Sequence, residues 1–285
     1  MLKYLWPGTY ALNSGFNITE RSTRMESHYI PYQAVTTLPT GPVLVLAPHP
    51  DDEVFGCGGA ILRHVAQGDT VTVLLATDGQ AAIPHANSAS RDAYIARRFA
   101  ESQAAAQILG YTALLTWEIP DRTLVCDQAS IQRLVALIHS LNPDGSAMMR
   151  VYAPSLHEIH PDHYALAELA YHAVCRCGAA ATLVMYEVGV PLRPNLLLDI
   201  TALVARKQAA IDCFHSQLAL QDYRRHMQAL NAYRAYTLPA CVTAAEGFYQ
   251  LDGETLRQQP ALRFGPSHQT EALAAAWAHL AERTR

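Results

Sequence analysis

Regular patterning of apolar and polar positions begins abruptly at residue 43 of this 285-residue chain. Val43-Leu44-Val45-Leu46-Ala47 is an unbroken apolar run between Gly41-Pro42 and Pro48, which suits a strand buried on both faces of a parallel sheet. A helix is predicted over 53–67, closed by Gly68, and a second buried strand over 71–76 ends before Asp78-Gly79. Ser90 is a candidate N-cap for a long helix that runs through Gln107 and stops at Gly110. The pattern then gives a strand over 114–119, a helix over 130–141 ended by Asn142-Pro143, a strand over 150–154, a helix over 162–176 and a strand over 183–188. Strands alternating with helices of this length indicate βαβ units. The predicted fold class is α/β: a Rossmann-like, doubly wound, mostly parallel sheet with helices on both faces and a C-terminal helical/β appendage. That appendage reads as helices over 202–214 and 217–235, a strand pair around 242–251, and an Ala-rich helix over 271–282 docked through Leu273, Trp277 and Leu280. Residues 1–40 show no sustained period and many turn formers, so the chain divides into an irregular extension (1–40), a main domain (41–250) and a C-terminal extension with its docking helix (251–285).

Composition removes several function classes. Hydrophobic residues make up 50% and charged residues 16%, the latter against roughly a quarter in ordinary soluble domains, so an extended polyelectrolyte is excluded. Twenty-one Lys and Arg against 25 Asp and Glu leave a net charge of −4, with no basic field to attract nucleic acid or anionic lipid. The low charge leaves self-association as a homo-oligomer open. The six cysteines lack the dense spacing of a secreted disulfide scaffold and read as reduced thiols. Pro7 and Gly8 interrupt any signal-like apolar stretch, and no run reaches the roughly 18 residues of a membrane span, so a cytoplasmic protein without an integral membrane segment is expected.

Chemistry concentrates at two strand ends. Pro48-His49-Pro50-Asp51-Asp52-Glu53 follows the first predicted strand, and His157-Glu158-Ile159-His160-Pro161-Asp162-His163 follows the fourth. Both fall on the carboxyl edge of the sheet, where ligands of open α/β folds bind. His49 and Asp52 are three residues apart, which brings them onto one face of a nascent helix, and an imidazole with a carboxylate is a reasonable pair for Zn²⁺. A third ligand from the second cluster would complete a His₂–carboxylate set with one position left for water, the pattern of a catalytic site. Asp51 then stands beside the metal as a base.

These motifs resemble those of the PIG-L family of zinc-dependent N-deacetylases, which includes N-acetylglucosaminyl-phosphatidylinositol deacetylases and bacterial enzymes of mycothiol and bacillithiol synthesis. The resemblance rests on Pro48-His49-Pro50-Asp51-Asp52-Glu53, Gly58-Gly59 and His160-Pro161-Asp162-His163. Thr77-Asp78-Gly79, Arg98-Phe99-Ala100-Glu101, Ile119-Pro120-Asp121 and Ala245-Glu246-Gly247-Phe248 extend it over roughly residues 41–250. It implies His49, Asp52 and His163 as ligands of one Zn²⁺ per chain, and Asp51 as general base. It also implies His160 as the imidazole that assists at the acyl oxygen and the departing amine, and Asp162 as the residue that orients or tunes a neighbouring imidazole. Arg98 and Asp121 match positions near the substrate. The chain departs from the family pattern at Pro48, where Ala is usual, and at Glu158, where some members carry Tyr.

Asp78, at a strand end, and His157, three residues before His160, are further substrate-binding candidates. Tyr223, Tyr233 and Tyr236 with Arg224, Arg225 and Arg234 could line a sugar-binding rim or belong to an amphipathic packing helix. The expected function is removal of an acetyl group from an N-acetylated amino sugar, with a small-molecule or glycoconjugate substrate. The alternatives are a zinc amidase or esterase of another substrate class, or a non-catalytic sugar-nucleotide-binding scaffold.

Overall fold

The computed structural model describes residues 31–258, apart from residues 32, 83–86, 112 and 146. Residues 1–30 and the docking helix expected over 271–282 lie outside the described residues.

Seven strands form one sheet: β1 (Val43–Ala47), β2 (Val71–Thr77), β3 (Ala113–Ile119), β4 (Met149–Pro154), β5 (Ala181–Tyr186), β6 (Leu196–Asp199) and β7 (Ala245–Asp252). Their order is β3-β2-β1-β4-β5-β7-β6. The first five run parallel, and β7 is antiparallel to both β5 and β6. The helices are α1 (Asp52–Ala66), α2 (Ser88–Leu109), α3 (Gln128–Leu141), α4 (Pro161–Cys177), α5 (Val204–Ile211), α6 (His215–Leu218), α7 (Tyr223–Arg234) and α8 (Gly253–Gln258).

The period of two in β1 explains why helices cover both faces. Val43, Val45 and Ala47 pack with α1, α2 and α5, whereas Leu44 and Leu46 pack with α3 and α4. β1, β2, β4 and β5 are buried along their whole length, as mostly apolar strands covered on both faces are. The winding reverses between β1 and β4, and this switch point is where a crevice opens in such sheets.

Several expectations shift for identifiable reasons. The long second helix starts at Ser88, not at Ser90, because Asn87 caps it by accepting the Ser90 amide proton at 2.9 Å. The strand expected over 183–188 leaves the sheet after Tyr186, since the amides of Val188 and Gly189 donate to the Glu158 carboxylate instead of a ladder. The strand pair expected around 242–251 is a single strand, β7. Its partner β6 precedes the helices and is too short, between Pro194 and Asp199, to stand out in the pattern. Val35 bridges to β6, donating to Leu197 O at 2.8 Å, so the end of the N-terminal extension sits on the sheet edge.

α1 contains a non-helical residue, Cys57 (φ −143°), just past Gly56. A Cβ on Gly56 would lie 2.2 Å from the ring of Tyr186, which is fully buried and donates its hydroxyl proton to Leu46 O at 2.7 Å. Gly56→Ala is therefore expected to cost about 1–3 kcal/mol, the usual range for overpacking a rigid core. Urea unfolding of the variant checks this.

Candidate metal centre and active site

Both polar clusters lie where expected, at the β1 and β4 ends that flank the switch point. His49 leaves β1 and folds back onto the start of α1: its amide donates to Asp52 Oδ2 at 3.0 Å, and its Nδ1 lies 3.2 Å from the same oxygen. From the other side, His163 on the first turn of α4 brings Nε2 to 3.2 Å from Asp52 Oδ2 and 3.2 Å from His49 Nδ1. Three ligand-type atoms from residues 114 positions apart thus form a triangle with equal sides. Donors bound to one tetrahedral ion at about 2.0–2.2 Å stand about 3.3–3.6 Å apart, so the set fits a small divalent cation. All three residues are buried. Burial alone would raise the Asp52 carboxyl, but His163 and His49 hold it well below the usual carboxylate range.

Each histidine has a carboxylate behind it. His49 Nε2 lies 3.2 Å from Asp162 Oδ2. Asp162 is fully buried and also accepts the backbone amides of Arg122 at 2.6 Å and Leu124 at 3.2 Å. The expectation that Asp162 orients an imidazole thus acquires an object: its contact is with His49. His163 Nδ1 faces Glu158 Oε2 at 3.4 Å.

Asp51 immediately precedes α1 with φ 137°, a conformation unusual for a side-chain-bearing residue that costs of order 1–3 kcal/mol. It is braced from two sides. Its amide donates to Glu53 Oε2 at 3.0 Å, and Arg98 Nη2 donates both to Asp51 Oδ2 at 2.9 Å and to Pro50 O at 2.6 Å. Burial pushes the Asp51 carboxyl up to about 7, against the opposing pull of Arg98. Arg98 also donates to Gly79 O at 3.1 Å. Gly79 has φ 64°, and a Cβ there would lie 2.3 Å from the guanidinium, so the Asp78-Gly79 turn gives Arg98 room to reach Asp51. Arg98 thus lines the cavity, as a residue near the substrate would, while its Nη1 and Nη2 hold Gly79 O, Pro50 O and Asp51 Oδ2.

His160 is the N-cap of α4; its Nδ1 accepts the Asp162 amide proton at 3.3 Å. Its ring stands edge-on to His49 with centroids 4.6 Å apart. Ligand-type atoms of His49, His160 and His163 all lie within 4.8 Å of one another. Burial, with His49 and His163 nearby, lowers the His160 pKa.

These groups line a cavity of about 390 Å³ with Asp121, Arg122, Glu158, Val188, Gly189 and Gln217, and with Phe55, Ile159, Leu220 and Tyr223 as apolar lining. The floor is ionic, whereas Ile159 and Leu220, 84% and 59% exposed, make an apolar mouth. Asp121 keeps Oδ2 on the Ala81 amide at 3.1 Å, while Oδ1, 3.4 Å from His49 Nε2, has no aligned hydrogen bond.

Two sequence candidates sit elsewhere. Asp78 spends its carboxylate on the amides of Gln80 and Asp121, at 3.0 and 3.1 Å, and lines a separate hollow beside α2. His157 is not among the cavity-lining residues, because its three-residue spacing from His160 aligns faces only inside a helix and α4 begins at Pro161. The tyrosine and arginine group divides. Tyr223 lines the cavity and stacks on Phe55 with centroids 5.3 Å apart. Tyr233 and Tyr236 are exposed, Arg224 pairs with Asp212, and Arg234 is buried against Glu187. Phe55, Arg122, Val188, Gly189, Gln217 and Leu220 escaped sequence reasoning. Only the left-handed backbone of Arg122 (φ 69°) marks any of them, and a sequence does not show it.

The fold is thus a doubly wound α/β sheet whose switch point carries a His₂–Asp triangle able to hold a divalent cation, with a further carboxylate beside it in the same cavity. Residues 44–174 match the family described as PIG-L, GlcNAc-PI de-N-acetylase. It is 28% identical over 192 residues, 66% of this chain and 84% of the other, to a probable N-acetyl-alpha-D-glucosaminyl L-malate deacetylase 2 of Bacillus cereus. It is 27% identical over 201 residues, 65% of this chain and 77% of the other, to a 4-oxalmesaconate hydratase of Pseudomonas putida. Its fold matches that of the N,N'-diacetylchitobiose deacetylase of Pyrococcus horikoshii with a TM-score of 0.67 at 21% identity, covering 88% of this chain and 98% of the other.

Proposed function

We propose that the protein is a zinc-dependent hydrolase that removes the acetyl group from an N-acetylated amino sugar, releasing acetate and a free amine. The observation that carries this reading is the triangle of His49 Nδ1, Asp52 Oδ2 and His163 Nε2 with 3.2 Å sides, with Asp51 next to it in the chain and inside the same cavity. The match of residues 44–174 to the family described as PIG-L, GlcNAc-PI de-N-acetylase, supports it.

His49, Asp52 and His163 hold the ion, one per chain. When bound there, zinc lowers the pKa of water towards about 7 and withdraws electron density from an acyl oxygen. The remaining steps belong to the side chains. Asp51 accepts the proton of the attacking water, and Arg98 holds the Asp51 carboxylate in place through Oδ2. His160 hydrogen-bonds the acyl oxygen as negative charge grows on it, and relays to the departing amine the proton that Asp51 has taken from the water, so that Asp51 ends as the free carboxylate and His160 as the neutral imidazole. Groups of this kind contribute typically ~10²–10⁴-fold each. Asp121 Oδ1, buried and without an aligned donor, accepts a sugar hydroxyl. No described helix is long and apolar enough to cross a membrane, and the six cysteines are free, which suits a reducing compartment; a cytoplasmic location is part of the proposal.

The test is elemental analysis of purified protein together with acetate and primary-amine release from a panel of GlcNAc conjugates. About one zinc per chain and release of both products from at least one conjugate is the expected result. Metal-free protein with all three ligands intact would overturn the reading. Metal-dependent hydration of 4-oxalmesaconate, with no acetate from any conjugate, would move the chain to the activity named for its Pseudomonas relative.

A further inference from the structure

Glu158, which stands where some members of the PIG-L family carry Tyr, is built into the site more firmly than a loop residue needs to be. It is 1% exposed. Its Oε1 accepts the amides of Val188 at 2.8 Å, Gly189 at 3.0 Å and Val190 at 3.2 Å, and Gly189 also reaches Oε2 at 3.1 Å. Backbone donors in such number hold a carboxylate at a fixed place.

The loop that supplies those amides is itself anchored. Glu187 accepts Arg234 Nε at 2.7 Å, Arg234 Nη2 and the Leu192 amide at 2.8 Å, while Arg234 Nη2 also donates to Leu192 O at 2.7 Å. Both members of this ion pair are buried. A continuous chain of polar contacts therefore runs from α7 through Arg234, Glu187 and the 188–190 amides to Glu158. It ends at His163, whose buried Nδ1 faces Glu158 Oε2 at 3.4 Å and has no aligned hydrogen bond to any described group.

We propose that Glu158 is the outer carboxylate of His163, a positioning residue that keeps the proton on Nδ1 and so reserves the Nε2 lone pair for the metal. The site then has two matched arms, Asp162 behind His49 and Glu158 behind His163. Such outer partners fix the tautomer and orientation of a ligating imidazole and raise its basicity, and losing one typically weakens metal binding about 10–100-fold. The inference rests on the proposed ligand set, because it assigns Glu158 a role only through His163.

The experiment measures zinc affinity of the apo protein by competition with a chromophoric chelator, for the wild type and for Glu158→Gln, with thermal unfolding of both apo forms as control. Glu158→Gln keeps the shape and one acceptor but removes the charge. The expected result is a 10–100-fold rise in zinc Kd with the apo unfolding temperature little changed. An unchanged Kd, with or without a lowered apo unfolding temperature, overturns the role of Glu158 alone and leaves the ligand set standing. A wild-type protein that binds no zinc overturns both. Should Glu158→Gln not fold, ring ¹⁵N spectra of the zinc-loaded wild type decide. A protonated, slowly exchanging His163 Nδ1 supports the proposal, and a metal-bound or unprotonated Nδ1 overturns it.

Discussion

Asp51→Asn is expected to lower turnover by at least about 10²–10⁴-fold, the range for a lost general base, while the variant still binds its metal. Asparagine tolerates positive φ almost as well as aspartate, so the strained backbone at φ 137° should persist. The amide oxygen can still accept from Arg98. The lost property is the ability to take up a proton. The neighbouring Asp52→Asn should behave in the opposite order, since Asp52 Oδ2 is one corner of the ligand triangle at 3.2 Å from both histidines. Metal content falls first there, and activity falls with it. Elemental analysis and acetate release on both variants separate the assignments; metal loss in Asp51→Asn would exchange the roles of the two residues.

The second large effect is on stability. Lys207→Met should destabilise the protein by about 3–5 kcal/mol, as expected when one partner of a buried ion pair is removed and the other stays behind. Lys207 Nζ donates to Glu246 Oε1 at 2.7 Å, to Asn231 Oδ1 at 3.1 Å and to Phe55 O at 3.0 Å. Glu246 in turn accepts the amides of Gly59 and Ala60 at 2.7 and 2.8 Å. Those two amides start the second segment of α1 just beyond the break at Cys57, so Glu246 acts as a cap supplied from β7. The cluster therefore holds the break that lets α1 begin with Asp52 at the metal triangle and still pack along the sheet. Adding Glu246→Gln to Lys207→Met should recover part of the loss, because a neutral side chain no longer carries an unpaired charge. A cost below about 1 kcal/mol for the single variant in urea titrations would mean that the pair does not hold the helix.

Motifs that resemble the family turn out to divide between chemistry and construction. Glu101, in the Arg98-Phe99-Ala100-Glu101 motif, accepts the Ser216 amide at 2.9 Å and its hydroxyl at 2.5 Å, fastening α6 to α2 beside the cavity. Arg98, from the same motif, reaches Asp51. His64 is a satisfied interior residue between Asp69 at 2.7 Å and the Tyr152 hydroxyl at 2.9 Å.

The sequence by itself determined the parallel core and the local chemistry at its edge. The unbroken apolar run at β1 and the largely apolar runs at β2 and β4 suit burial on both faces, and Pro-His-Pro-Asp-Asp and His-Pro-Asp-His follow two of them. Each cluster is complete within a few residues, so its spacing is legible. What only the tertiary structure decided is which distant groups meet. Arg98 lies 47 positions from Asp51, Glu187 and Arg234 are 47 apart, and Lys207 and Glu246 are 39 apart. None of these pairs follows a helix or strand period, because sheet order and the break in α1 bring them together. Even Glu158, only five residues from His163, was unreadable, because its anchor is three amides of a loop on the far side of β5. Backbone donors carry no residue type, so a carboxylate that depends on them leaves no pattern in a sequence.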